Sequence, residues 1–223
     1  MNILVVYAHH EPASLTGSLK NVALSTLTSQ GHEVVESDLY GTGFHPVANK
    51  YDFTTLSGGH FNYMLEQKNS AERDWAYAPD IVAELQKLKA ADLVLFYTPI
   101  WWFSVPAVLK GWFDRVLTMG VAWDGGRIYE EGLLRGKRAM ITAVAGGPEE
   151  YYQPLGKHHA TLKQILHPVH HGTLAFCGLD VLEPFLVYSS MNKSPEEYQN
   201  LLDSHKAVID SVADNPHFLS KYS

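Results

Sequence analysis

LVLFYTPIWWFSVPAVLKGWFDRVL, from Leu93 to Leu117, opens with a continuous apolar run, Leu93 to Phe96. Unbroken rather than alternating hydrophobicity marks a strand covered on both faces. A short loop bracketed by Pro99 and Pro106 then carries Trp101, Trp102 and Phe103. Beyond it, Val105, Val108, Leu109, Trp112, Phe113, Val116 and Leu117 recur at the spacing of one helical face. The segment therefore reads as buried strand, aromatic loop, amphipathic helix. In an open α/β sheet, a loop at the carboxyl end of a strand is where ligands bind.

The same alternation extends in both directions. Ile3 to Val6 is a second aliphatic run, followed by a loop through Gly17 and a helix to Ser29 that Ser18 can cap and Gly31 can stop. His32 to Asp38 reads as a strand, whereas residues 41 to 78 hold no persistent period and read as a long excursion. Pro79 and Asp80 open a helix through Lys89, with Ile81, Leu85 and Leu88 on one face. Arg138 to Val144 is a fourth strand, and Ala160 to Phe176 a helix that must bend or break around Pro168. Leu179 to Tyr188 supplies a fifth strand and Pro195 to Val212 a final helix. Connections too long for hairpins predict a doubly wound, five-stranded parallel sheet in a three-layer α/β/α arrangement. One domain over residues 1–223 is expected, since no linker or repeat divides the chain.

With 46% hydrophobic and 18% charged residues, the chain has the composition of a globular protein. A formal net charge of −7 argues against nucleic acid, whose phosphates need clustered Lys and Arg. No apolar run reaches the roughly 18 residues that a bilayer span requires, so no membrane insertion is expected. Met1-Asn2 leads straight into a strand without a basic n-region, and Cys177 is the single cysteine. A cytoplasmic location is the expectation from both.

Three loops leave the strands at their carboxyl ends and should share one rim: His9 to Gly17, Thr98 to Ser104, and Ala145 to His159. The first sets His9, His10, Ser14, Thr16 and Ser18 before a helix, where hydroxyls and free N–H groups can hold phosphate. Helix capping by Ser18 with solvated histidines is the plainer alternative. The dinucleotide fingerprint G-x-G-x-x-G is missing from this turn, and Gly41-Thr42-Gly43 leads to Pro46 rather than to a helix. In the second loop Trp101, Trp102 and Phe103 suit a flat ligand such as an isoalloxazine, with simple packing as the alternative. The third loop, AGGPEEYYQPLGKHH, offers Gly146 and Gly147 for close backbone approach, then Tyr152 and His158 as proton donors. His167, His170, His171 and Cys177 lie close in sequence, but no fixed tetrahedral set is evident, and no metal site is expected.

VVESDLY (Val34 to Tyr40), APDIVAEL (Ala78 to Leu85), VPAVLKGWFDRV (Val105 to Val116) and FCGLDVLEP (Phe176 to Pro184) together resemble the NAD(P)H:quinone oxidoreductases. These are the DT-diaphorase-like flavoproteins of flavodoxin-like fold. The resemblance implies a tightly bound FAD (FMN less so), a homodimer, and ping-pong hydride transfer from NADPH or NADH to a quinone. Carried over by position, His9, Ser14, Leu15, Thr16 and Ser18 would hold the FAD phosphates and neighbouring parts. Pro99, Ile100, Trp101, Trp102 and Phe103 would run along the isoalloxazine, with Ala145, Gly146 and Gly147 opposite its polar edge. Tyr152 and His158 match the family's catalytic pair, with Tyr152 also at the cofactor. Trp123 and Phe176 match aromatics that a partner subunit lends to the substrate pocket. Trp101 and Thr16 stand where relatives have Gln and Asn, Gln199 where some have Arg, and Ala175 where a zinc-binding branch has His. Relatives that serve potassium-efflux systems as ancillary flavin-binding subunits supply the alternative reading.

Overall fold

The computed structural model describes residues 1–213. Strands β1 (Asn2–Tyr7), β2 (Glu33–Asp38), β3 (Leu93–Pro99) and β4 (Arg138–Val144) form a parallel sheet that β5 (Asp180–Val181) and β6 (Phe185–Val187) complete. The order is β2-β1-β3-β4-β5, with β6 also beside β4. The aliphatic runs have the composition of doubly covered strands because both faces are packed. Ile3, Val5 and Tyr7 of β1 meet helices α1 (Leu15–Ser29) and α6 (Pro195–Val212). Leu4 and Val6 point the other way, onto α3 (Pro79–Ala90), α4 (Ala107–Val116) and α5 (Leu162–Val169). This is the expected three-layer α/β/α sandwich of flavodoxin-like fold.

Three local expectations need correction. The helix after β1 starts at Leu15, capped by Ser14, whose Oγ accepts from the Gly17 N–H at 3.1 Å. Ser18 is therefore not the cap. The earlier start buries Leu15 and Leu19, one turn apart, against the sheet. The 41–78 excursion contains a helix, α2 (Tyr63–Glu72), which Asn62 caps. Its inward residues are Glu66, Gln67 and Ser70, so hydrophobic periodicity had nothing to report. Gln67 instead bonds across to α4 and beyond, donating to the Asp114 carbonyl at 3.0 Å and accepting from the Met119 N–H at 3.2 Å.

The regular helix gives way at Pro168, as the sequence predicts, and α5 ends at Val169. The proline sits in the last turn of α5, and the chain continues as a wider π turn over His170–Leu174. The fifth strand position is filled in two pieces. β5 pairs with the start of β4 and β6 with its end, separated by Leu182, Glu183 and Pro184.

A buried cluster ties the excursion to α4. Arg115 bonds Asp52 at 2.9 Å and Asp80 at 2.7 Å, and the Tyr63 hydroxyl donates to Asp52 at 2.6 Å. Among the described residues no helix is long and apolar enough to cross a membrane.

Candidate active site

The parallel order brings the loops after β1, β3, β4 and β6 to one rim of the sheet. In the first loop, the Glu11 N–H donates to His9 Nδ1 at 3.0 Å. An acceptor at Nδ1 puts the proton of the neutral ring on Nε2. Burial, and then the neighbouring His10, hold the His9 pKa below its usual value, which favours that neutral form. The two imidazoles stack at 4.7 Å. Thr16 is buried in the first turn of α1, whose unpaired N–H groups and dipole favour an anion.

The second loop is a tight reversal. Trp101 and Ser104 exchange backbone hydrogen bonds of 2.9 and 3.0 Å, and Trp102 and Phe103 occupy its corners with φ of 50° and 57°. Two successive left-handed residues are the geometry that Asn-Gly usually fills. Each bulky L-residue there costs about 1–2 kcal/mol. The strain leaves Trp102 97% exposed and Phe103 52% exposed. Such strain is typical of ligand-binding loops.

The third loop supplies the polar groups. Gly147 lies so close to Tyr152 that a Cβ would stand 3.3 Å from the Tyr152 ring. Tyr152 is buried, and burial raises its pKa above the usual phenol value, so it remains a donor. Its ring meets His158 at 4.7 Å and Tyr188 at 5.6 Å. His158 in turn stands edge-on to Phe103 at 5.0 Å, joining the second and third loops.

A cavity of about 380 Å³ opens between these loops. Of the residues expected at the cofactor, His9, Ser14, Leu15, Thr16, Pro99, Ile100, Trp101 and Gly146 line it. Trp102, Phe103, Gly147, Tyr152 and His158 continue the same rim without lining the cavity, and Ala145 is buried beneath it, its N–H bonded to Val187. Ser18 is displaced from the set: it lies inside α1 and accepts a 2.5 Å bond from the Tyr198 hydroxyl.

Ser190 and Met191, in the loop after β6, line the cavity and were missed. The rule that located the other three loops also covers this one, because β6 is parallel and ends at the same rim. Trp123 and Phe176 are not brought to this cavity. Their rings meet at 5.6 Å and line a separate recess of about 320 Å³ with Tyr63, Met64 and Phe113.

The histidine cluster has a packing explanation. His167 and His171 stack at 5.0 Å, and His171 stacks on Tyr129. Burial lowers His170 to about 4 and pushes the Cys177 thiol up to about 12. No group of three potential metal-ligating His, Cys, Asp or Glu residues forms among the described residues.

The donor set fits a flavin nucleotide. Neutral N–H and hydroxyl groups at a helix start suit phosphate, a strained aromatic turn suits a flat ring, and a phenol–imidazole pair suits a polar edge.

Known proteins give the same direction. A family model described as flavodoxin-like fold matches residues 1–211. A ribosyldihydronicotinamide dehydrogenase (quinone) of Pongo abelii is 45% identical, over 94% of this chain and 91% of the relative. An NAD(P)H dehydrogenase (quinone) 1 of Rattus norvegicus is 40% identical, over 94% of this chain and 76% of the relative. A crystal structure from Klebsiella pneumoniae, of a protein proposed to be a quinone reductase, superimposes with a TM-score of 0.90. It is 37% identical and covers 96% of this chain and 86% of its own.

Proposed function

The chain belongs to the flavodoxin-like-fold family, among its NAD(P)H:quinone oxidoreductases, and on that footing we propose that it passes a hydride from NADPH or NADH to a quinone by a ping-pong route through bound FAD. The observation that carries the proposal is the strained Trp102–Phe103 turn joined through His158 to Tyr152. When bound, the flavin supplies the two-electron carrier between donor and acceptor.

The chain's own residues bind, orient and move protons. His9, with its Nε2 proton, joins Thr16 and the first turn of α1 in holding the phosphates. Trp101, Trp102 and Phe103 present aromatic surface along the ring system and exclude water from it. Tyr152 and His158 hold a proton near the polar edge and stabilise charge that develops there. One flat surface serves two planar substrates in turn, so no second site is required.

The proposal includes a homodimer, in which Trp123 and Phe176 of the partner subunit roof the aromatic turn. Their separation from the cavity within one chain supports that role. The relatives' activities favour the enzyme over an ancillary subunit of a potassium-efflux system. The test is the absorption spectrum of purified protein with the released cofactor identified, followed by reduction with NADPH and NADH. A yellow protein that releases FAD, is bleached by either donor and is reoxidised by a quinone is the expected result. A protein that cannot be loaded with flavin would sink it.

A further inference from the structure

The loop from Glu149 to His159 closes on itself. The His158 N–H donates to the Tyr151 carbonyl and the Gly156 N–H to the Gln153 carbonyl, both at 2.9 Å. A Cβ at Gly156 would stand 2.2 Å from the Glu150 carbonyl oxygen, so only glycine permits this return. The closure lays Lys157 over Tyr151, with Nζ 4.1 Å from the ring centroid and donating to the phenol oxygen at 2.7 Å. Tyr151 stands edge-on to His158 at 5.7 Å, and His158 meets Tyr152 and Phe103. The ammonium is thus pinned at the border of the ring cluster, roughly one Debye length (~10 Å at 0.1 M salt) or less from the imidazole.

Lys157 is the one cation of its loop, and the loop after β6 carries Lys193 on the same rim. No Lys or Arg is among the described residues lining the cavity, and the other formal charges of the third loop, Glu149 and Glu150, are negative. A fixed cation at the edge of a flat aromatic surface suits a planar ligand with an anionic tail. A lysine serves that purpose as a point charge, and holding it in advance lowers the ordering cost at binding.

We propose that Lys157 is a specificity-determining residue that favours a phosphate-bearing dihydronicotinamide over the phosphate-free riboside as hydride donor. The inference rests on the reductase reading and adds to it the recognition of the donor's phosphate. Tyr151 acts through Lys157 as its positioning residue.

Holoenzyme and its Lys157→Met variant are compared in stopped-flow flavin bleaching by reduced nicotinamide mononucleotide and reduced nicotinamide riboside, which differ only in the phosphate. The half-saturating mononucleotide concentration should rise about 3- to 5-fold in the variant, as for an exposed, screened charge contact. Its limiting rate and the riboside values should stay as in wild type, and the difference should shrink in high salt. Lys157→Arg should restore the mononucleotide value, and Tyr151→Phe should give an intermediate one. Binding of the oxidised mononucleotide, followed by quenching of tryptophan fluorescence, should weaken by the same factor without any turnover. Equal shifts for both donors, or none for the mononucleotide, overturn the inference and leave the reductase reading standing. Wild-type holoprotein that neither donor bleaches overturns both.

Discussion

Phe96, Trp112 and Phe113 flank Trp101, Trp102 and Phe103 in the chain, yet the two aromatic triplets have opposite fates. The first set is 0–4% exposed and meets in edge-on contacts of 5.5–6.1 Å, with the Trp112 indole N–H donating to Glu84 at 2.7 Å. The second is 39–97% exposed on a turn with two left-handed corners. Equal chemistry gives stability in one place and a binding surface in the other. Regular backbone lets the core triplet interdigitate, whereas the strained reversal holds its rings away from any core. Aromatic content alone does not separate the two, but backbone conformation does.

Substitutions should widen that contrast. Trp112→Ala removes a fully buried indole and its hydrogen bond to Glu84, which keeps those from Ser37 and Lys87, so it should cost about 3–5 kcal/mol in urea unfolding. Trp102→Ala should cost nothing measurable in the same assay. An equal loss for the two would erase the distinction.

Acid should also reach the buried side first. His205 is completely buried, its Nε2 3.1 Å from the Tyr97 hydroxyl on the strand that feeds the aromatic turn. Burial lowers its pKa from 6.5 to about 4. The unfolded chain therefore takes up this proton first. The stability contribution is complete above about pH 6.5 and falls as pH drops toward 4, by about 3 kcal/mol at full extent. Urea titrations at pH 7 and pH 5 should show the loss, and His205→Phe should reduce it to the share of His170, which burial also lowers to about 4. A variant with an unaltered pH slope would remove His205 from the account.

At the rim, a Tyr152→Phe, His158→Ala double variant should slow flavin reduction by about 10- to 100-fold while leaving the unfolding midpoint nearly unchanged. Unchanged stopped-flow reduction would refute their proton role. The mildest expected change comes from placing Asn-Gly at 102–103, Trp102→Asn with Phe103→Gly. Relief of two left-handed corners should stabilise the protein by about 1 kcal/mol or more. Loss of both rings should weaken flavin binding by roughly tenfold. Destabilisation by this replacement would show that the turn stores no strain.

The sheet and four of the major helices were legible because their residues obey one period each. β4 and α6 have the very limits that the pattern predicts, Arg138–Val144 and Pro195–Val212. α2 was illegible because it turns Glu66, Gln67 and Ser70 inward and engages Glu66 and Gln67 in hydrogen bonds, which no hydrophobic period records. The aromatic loop was found as a place, but its conformation was not: Trp-Phe is the opposite of the Asn-Gly signal for such a turn. Ser14 rather than Ser18 caps α1 because burying Leu15 outweighs two equally suitable caps. Ser190 and Met191 follow β6 at the strand end to which the same rule applies, and carry no motif of their own.

An open sheet has two borders to which a foreign backbone could add itself. Among the described residues, the border beyond β4 offers only two paired residues in β5 and three in β6. Pro184, between them, has no amide hydrogen to donate. That discontinuity deprives a neighbouring chain of a straight ladder to copy, and short, broken borders discourage intermolecular strand addition in crowded solution. The split in the last strand, which the pattern did not show, is thus a safeguard against aggregation.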